Sequence, residues 1–124
     1  KGRLDRSPAG IRTPSWDFSP HTLSIIRDLG FVYDSSLIGD DRPYELCVND
    51  EPTGLVELPV EWLLDDHPFF QIDPARGTRS FIHPNAVLEI WRDEFECAVE
   101  ERTMFLLTMP RPSATVPACL CSRN

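Results

Sequence analysis

Twelve prolines fall singly along the 124 residues rather than in a tract, standing where elements would begin or turns would close. That share is about twice the average, and it cuts the chain into short segments whose order decides the fold. At Ser19-Pro20 a hydroxyl suited to capping precedes a proline at the first helical position, and Gly30 stands where a left-handed residue would close the helix. These signals predict a helix over 19–29, with Leu23, Ile26 and Leu29 on one face, then a short strand at Phe31-Val32-Tyr33. A turn-rich stretch with Pro43, Asn49, Asp50, Pro52 and Gly54 leads to a strand over 55–60, where Val56, Leu58 and Val60 alternate with Glu57 and Pro59. Residues 65–79 hold His67-Pro68, Asp73-Pro74 and Gly77 and keep no period, which predicts a long loop. Pro84 opens a second helix to about Arg102, with Val87, Ile90, Trp91, Phe95 and Ala98 on one face and Arg92, Asp93, Glu96, Glu100 and Glu101 outward. The nearly continuous apolar run over 104–109 predicts a strand covered on both faces. Helix, strand, loop, strand, helix, strand is an α/β order. The last segment, 110–124, has three prolines and no period, and no regular structure is expected of it.

Charge narrows the partners. Twelve basic against twenty acidic side chains leave a formal charge of −8, which repels nucleic acid and anionic lipid surfaces. No apolar run approaches the ~20 residues of a bilayer helix, so no membrane span is expected. The chain opens on Lys1 without a basic-then-apolar leader. This reads as a start cut from a longer sequence, with a cytoplasmic location expected. Cys47, Cys97, Cys119 and Cys121 are irregularly spaced and read as reduced thiols. Cys119 and Cys121 lack both the two-residue gap and the nearby His of a zinc knuckle.

The densest chemistry lies in Gly10-Ile11-Arg12-Thr13-Pro14-Ser15-Trp16-Asp17. A guanidinium there can orient a carboxylate through paired hydrogen bonds, or simply pair with an Asp for structure. Trp16 can stack on a sugar ring or serve as packing. Tyr33-Asp34-Ser35-Ser36 follows a strand, where site residues of α/β folds gather, although an Asx-turn explains Asp34 as well. Asp40-Asp41 and Asp65-Asp66 could divide acid and base roles if one cleft joined them, or could be solvated turns. His21, His67 and His83 never reach the spacing of helical metal ligands, and no Gly-x-Ser-x-Gly elbow exists for a nucleophilic Ser.

The run Gly10-Ile11-Arg12-Thr13-Pro14-Ser15-Trp16-Asp17-Phe18-Ser19-Pro20 resembles the Arg-x-Pro region of polysaccharide deacetylases. In the family's order follow Asp28-Leu29-Gly30-Phe31-Val32-Tyr33-Asp34-Ser35-Ser36-Leu37, Asp40-Asp41-Arg42-Pro43-Tyr44, Glu57-Leu58-Pro59-Val60, Trp62 and Leu64-Asp65-Asp66. Ile90-Trp91-Arg92-Asp93-Glu94-Phe95 and Phe105-Leu106-Leu107-Thr108-Met109 complete the set. The resemblance covers residues 10–109, nearest the branch with peptidoglycan deacetylase-like and allantoinase-like proteins. It implies the C-terminal half of a distorted (β/α) barrel over 1–109, with the site at the C-terminal strand ends; the family pattern, which continues into a covering helix, stops at the irregular tail over 110–124.

The implied activity is hydrolysis of a non-peptide carbon–nitrogen amide bond, removing acetyl groups from N-acetylated amino sugars of a polysaccharide or peptidoglycan. The alternatives are a metal-independent allantoinase-like amide hydrolase and a catalytically inactive carbohydrate-binding or interaction protein. By the resemblance Arg12 orients the catalytic base, Trp16 and Trp62 shape the substrate groove, and Asp65 sits in its rim. In metal-dependent members an Asp and two His hold zinc or another divalent ion and a neighbouring Asp is the base. All lie upstream of the Arg-x-Pro region, so this chain is expected to bind no metal itself and to be inactive alone. Two departures stand out: Glu61 occupies a position often held by His, and Met109 runs into Pro110 where relatives carry the general-acid His of Leu-Thr-Met-His-Pro. A reading-frame shift just after Met109 would account for the second.

Overall fold

In the computed structural model, residues 7–73, 78–79 and 82–109 are described. Strand β1 (Gly10–Ile11) is followed by a 3-10 turn at Pro14–Trp16, helix α1 (Thr22–Asp28), β2 (Tyr33–Asp34), β3 (Tyr44–Val48) and β4 (Glu51–Glu57). A second 3-10 turn at Trp62–Leu64, α2 (His67–Phe70), β5 (Ile72–Asp73), β6 (Thr78–Arg79) and the long helix α3 (Pro84–Glu101) complete the described elements. The main sheet has the order β1-β2-β4-β3, with β1, β2 and β4 parallel and β3 antiparallel to β4. Ile11, Asp34 and Glu57 lie side by side across it. The chain therefore leaves all three parallel strands at one edge, and Arg12, Ser35 and Leu58 emerge together there. Among the described residues no helix is long and apolar enough to cross a membrane.

Local chemistry accounts for these elements, with corrections to the boundaries. Helix α1 starts at Thr22 rather than at Ser19, because Ser19 and Thr22 first close a turn of their own. The Thr22 N–H donates to Ser19 O, and the Ser19 N–H returns to Thr22 Oγ1 at 2.9 Å. Gly30 takes the left-handed conformation expected of it, φ 78°. The Gly30 N–H reaches Arg27 O and the Phe31 N–H reaches Ile26 O, which satisfies the last carbonyls of the helix in a Schellman motif. Ile26 is buried on the predicted face, but Leu29 is 69% exposed.

The stretch before residue 55 is more than turns. It forms the hairpin β3–β4, whose Asn49-Asp50 tip has positive φ at both residues, as a two-residue turn matched to strand twist requires. Within β4 the expected phase is reversed, with Leu55 and Glu57 buried and Val56 37% exposed, while Val60, beyond the strand end at Glu57, is buried as expected. The predicted loop over 65–79 contains α2 and the paired β5 and β6, with Pro74 and Gly77 outside the described residues.

Two apolar clusters hold the layers. Ile26, Leu46 and Leu55 form one, joined by Ile11, Phe18, Leu23, Phe31, Leu37 and Tyr44. Leu64, Val87 and Trp91 form the other, with Phe69, Phe70, Ile82, Ile90, Phe105 and Leu107 around them. Each fully buried aliphatic side chain contributes ~1.5–3 kcal/mol. The Trp91 Nε1–H donates to Leu63 O at 3.0 Å, fixing α3 against the Trp62–Leu64 turn. Phe95, expected inward, is 51% exposed and meets Phe105 edge-on. The 104–109 run is not a strand. It carries a single parallel bridge between Asp65 and Thr108, and its apolar side chains are half-buried over 104–107 and exposed at Met109 rather than enclosed. One bridged position fixes Thr108 without supplying the ladder a strand needs.

Candidate functional site

Where β1, β2 and the bridged segment end, a cleft of about 610 Å³ opens, lined by Arg12, Thr13, Ser15, Trp16, Trp62, Asp65, His67, Leu107, Thr108 and Met109. Strand β1 delivers Arg12 to its floor. The Arg12 Nε–H donates to Ser35 O at 2.8 Å, one Nη2–H to Ser35 Oγ at 2.7 Å, and one Nη1–H to Thr108 Oγ1 at 3.1 Å. Ser35 in turn donates its hydroxyl to Leu58 O. The guanidinium thus ties together the ends of β1, β2 and β4 and the segment at Thr108. A guanidinium has five N–H donors, so two remain for a ligand. No carboxylate is hydrogen-bonded to Arg12 among the described residues. The Arg–Asp pair weighed from sequence is absent there, and a carboxylate oriented by Arg12 is not among its partners.

The chain next turns sharply so that an indole faces the cleft. Ser15 and Trp16 both have positive φ, 56° and 57°, a costly backbone of ~1–3 kcal/mol each for residues with a Cβ. The Thr13 N–H bonded to Ser36 Oγ at 2.9 Å holds the turn on its upstream side. Trp16 meets Trp62 edge-to-face, their ring centroids 4.8 Å apart, so two residues 46 positions apart become one aromatic wall. Trp62 is 56% exposed, and its ring is available to a ligand.

Asp65 is almost wholly buried at the cleft margin, and its Oδ1 accepts the His67 N–H at 2.8 Å. Next to it, burial together with the charge of Asp65 pushes the Asp66 carboxyl above the usual carboxylate range. The second acidic pair stays apart. Asp40 Oδ1 accepts the N–H groups of Asp41 and Arg42 in an exposed turn, which with the Asp41 side chain holds its carboxyl low. Asp41 and Glu61 line a separate cavity of about 240 Å³, so Glu61 is not in the main cleft.

The structure thus brings Arg12, Trp16, Trp62 and Asp65 to one cleft from two chain segments. Sequence reasoning did not find Ser35 or Thr108 as the seat of Arg12, nor His67 as a lining residue. Only the position of His67 two residues beyond Asp65 pointed to the Asx-turn that places it. Asp34 does make the Asx-turn weighed from sequence, accepting the Ser36 N–H at 2.9 Å. Cys47 and Cys97 are free and exposed, while Cys119 and Cys121 lie outside the described residues. Among the described residues no three His, Cys, Asp or Glu side chains gather as a metal ligand set. Asp65 Oδ1 is already engaged by a backbone N–H. The described residues therefore do not fit a divalent ion.

A parallel sheet whose strand ends open onto a polar and aromatic cleft places the chain among α/β proteins of the partial-barrel kind. A crystal structure described as a polysaccharide deacetylase from Mycobacterium smegmatis matches 82% of this chain at 38% identity and a TM-score of 0.68, over 35% of its own length. The peptidoglycan deacetylase of Helicobacter pylori is 28% identical over 88% of the chain and 45% of its own length. A peptidoglycan deacetylase-like protein of Gibberella zeae is 27% identical over 73% of the chain and 33% of its own length. No family model matches. The chain resembles these polysaccharide and peptidoglycan deacetylases in sequence and fold, and it spans less than half the length of each.

Proposed function

We propose that the cleft is the sugar-binding groove of a hydrolase that removes acetyl groups from the N-acetylated amino sugars of a polysaccharide or peptidoglycan. The observation carrying this reading is the convergence of an anchored Arg12 with the Trp16–Trp62 wall at the strand ends. The indoles offer an apolar face to a pyranose ring. Arg12 keeps two N–H groups with which to orient a carboxylate acting as base, and Asp65 closes the rim. The names of the relatives and the order of the family's motifs support the same substrate class.

The test is a fluorescence titration of the chain with chitooligosaccharide. Saturable quenching is expected, and Trp62→Ala should weaken it at least tenfold with the circular dichroism spectrum unchanged. No saturable change in the unmodified chain would overturn the reading. Acetate release is expected only when this segment stands in a protein that also carries the family's metal ligands. Release by this chain alone, abolished by a chelator, would show that it holds more of the machinery than this reading allows.

A further inference from the structure

Behind the cleft floor lie two carboxyl groups that the proposed function does not use. Asp34 and Glu57 are neighbours across β2 and β4, and both are fully buried. Glu57 Oε1 accepts the N–H groups of Ser36 and Leu37 at 2.9 Å each. Asp34 Oδ2 accepts the Ser36 N–H at 2.9 Å, and Asp34 Oδ1 accepts the Ser36 hydroxyl at 3.0 Å. Glu57 Oε2 is buried and has no hydrogen-bond partner, although the two carboxyls are close enough to accept the same Ser36 N–H. The titratable groups facing the pair are themselves acidic. From β3 comes Tyr44, whose phenol is pushed up by burial and by Glu57, Asp40 and Asp34. No salt bridge reaches either carboxyl among the described residues.

Two carboxylates side by side in a low-dielectric interior without a cation do not both ionise. A proton held between them gives Glu57 Oε2 the partner it lacks. We propose that Asp34 and Glu57 share one proton and together act as the positioning pair for Arg12. This rests on the reading of Arg12 given above.

The link is continuous in hydrogen bonds. The pair fixes the Ser36 and Leu37 N–H groups, the same turn presents Ser35 O and Oγ to the guanidinium, and Ser36 Oγ holds the Thr13 N–H. Loss of the shared proton leaves two like charges in contact, loosening the turn on which Arg12 is seated. Burial, opposed by the Leu37 N–H and assisted by Asp34, pushes the Glu57 carboxyl up to about 7, which puts the release of the proton near neutrality.

Nuclear magnetic resonance of the isotope-labelled chain, without sugar, tests the coupling. The Glu57 side-chain carboxyl signal should titrate near neutrality, and the Arg12 Nε–H resonance should move with the same midpoint. In Glu57→Gln, whose amide mimics the protonated acid and can donate to Asp34, the Arg12 resonance should stay constant through that range. An Arg12 signal unmoved while Glu57 titrates, or moving equally in Glu57→Gln, overturns the proposal. Should Glu57→Gln fail to fold, Asp34→Asn should lower the Glu57 midpoint by a unit or more, with the Arg12 transition following it. An Arg12 transition left at the original midpoint overturns the proposal. Because no sugar is present, this outcome is independent of whether the cleft binds one.

Discussion

Arg12 owes its position to hydrogen bonds from all three guanidinium nitrogens, which a lysine cannot reproduce. Arg12→Lys retains the charge and at most part of that set. It should cost this chain about 1–2 kcal/mol in urea denaturation, given ~0.5–1.5 kcal/mol net for each bond lost at a partly exposed site. In a complete deacetylase carrying this segment, the same change should lower kcat by roughly tenfold or more, about 1.4 kcal/mol per decade. Full kcat with a much larger stability loss would make the arginine purely structural. Gly10 is constrained from the opposite direction. A Cβ there would fall inside the ring of Tyr33, its register partner on β2, so the ring lies flat over the glycine backbone. Gly10→Ala must push the ring away and should destabilise by about 1–3 kcal/mol, read from the denaturation midpoint.

At the scale of elements, β4 joins a hairpin to a buried acid. The Asn49-Asp50 tip places both residues at positive φ, 52° and 66°. Asp50→Gly relieves the second and should stabilise by up to about 1 kcal/mol, measured by thermal unfolding. At the other end of the strand, Glu57 gives folding a pH dependence. Its carboxyl is raised from 4.5 to about 7, chiefly by burial. The folded chain therefore holds a proton that the unfolded chain has released between those values. The stabilisation is complete below the unfolded value and lost as pH rises through the folded one. Glu57→Gln should flatten that fall, leaving the variant close to the unmodified chain in acid and more stable above neutrality by on the order of 2–3 kcal/mol. A decline of equal slope in both, followed by urea denaturation across pH, would assign the dependence to other groups.

At the scale of the chain, the described residues form a mainly parallel sheet with one hairpin edge and a separate two-stranded pair, with helices on separate clusters, and much apolar surface remains in water. Ile25, Leu29, Val32, Leu88 and Val99 are each about half exposed or more. The outer edge of β1 has no strand partner among the described residues. Unpaired strand edges and apolar patches favour association. At micromolar concentration the chain should self-associate or bind a hydrophobic dye, as read by light scattering and dye fluorescence. A monodisperse monomer with one sharp thermal transition and no dye binding would contradict this.

Local signals set much of this protein without help from tertiary contacts. Gly30 closes α1, Pro84 opens α3, the parallel strand follows α1, and the chemically dense block around Arg12 and Trp16 lines the main cleft. What needed the folded molecule was anything that depends on distant segments meeting. Alternation in 55–60 favours Val56 inside, but the strand sits in the phase that encloses Leu55 and Glu57, whose Oε1 accepts two backbone N–H groups from the distant Ser36-Leu37 turn. The apolar run at 104–109 reads as a strand, yet strand formation depends on neighbours, and one bridge to Asp65 makes no ladder. The seat of Arg12 on Ser35 and Thr108, 23 and 96 residues away, left no trace in local pattern, because sheet register brings Ser35 to it and the bridge to Asp65 brings Thr108.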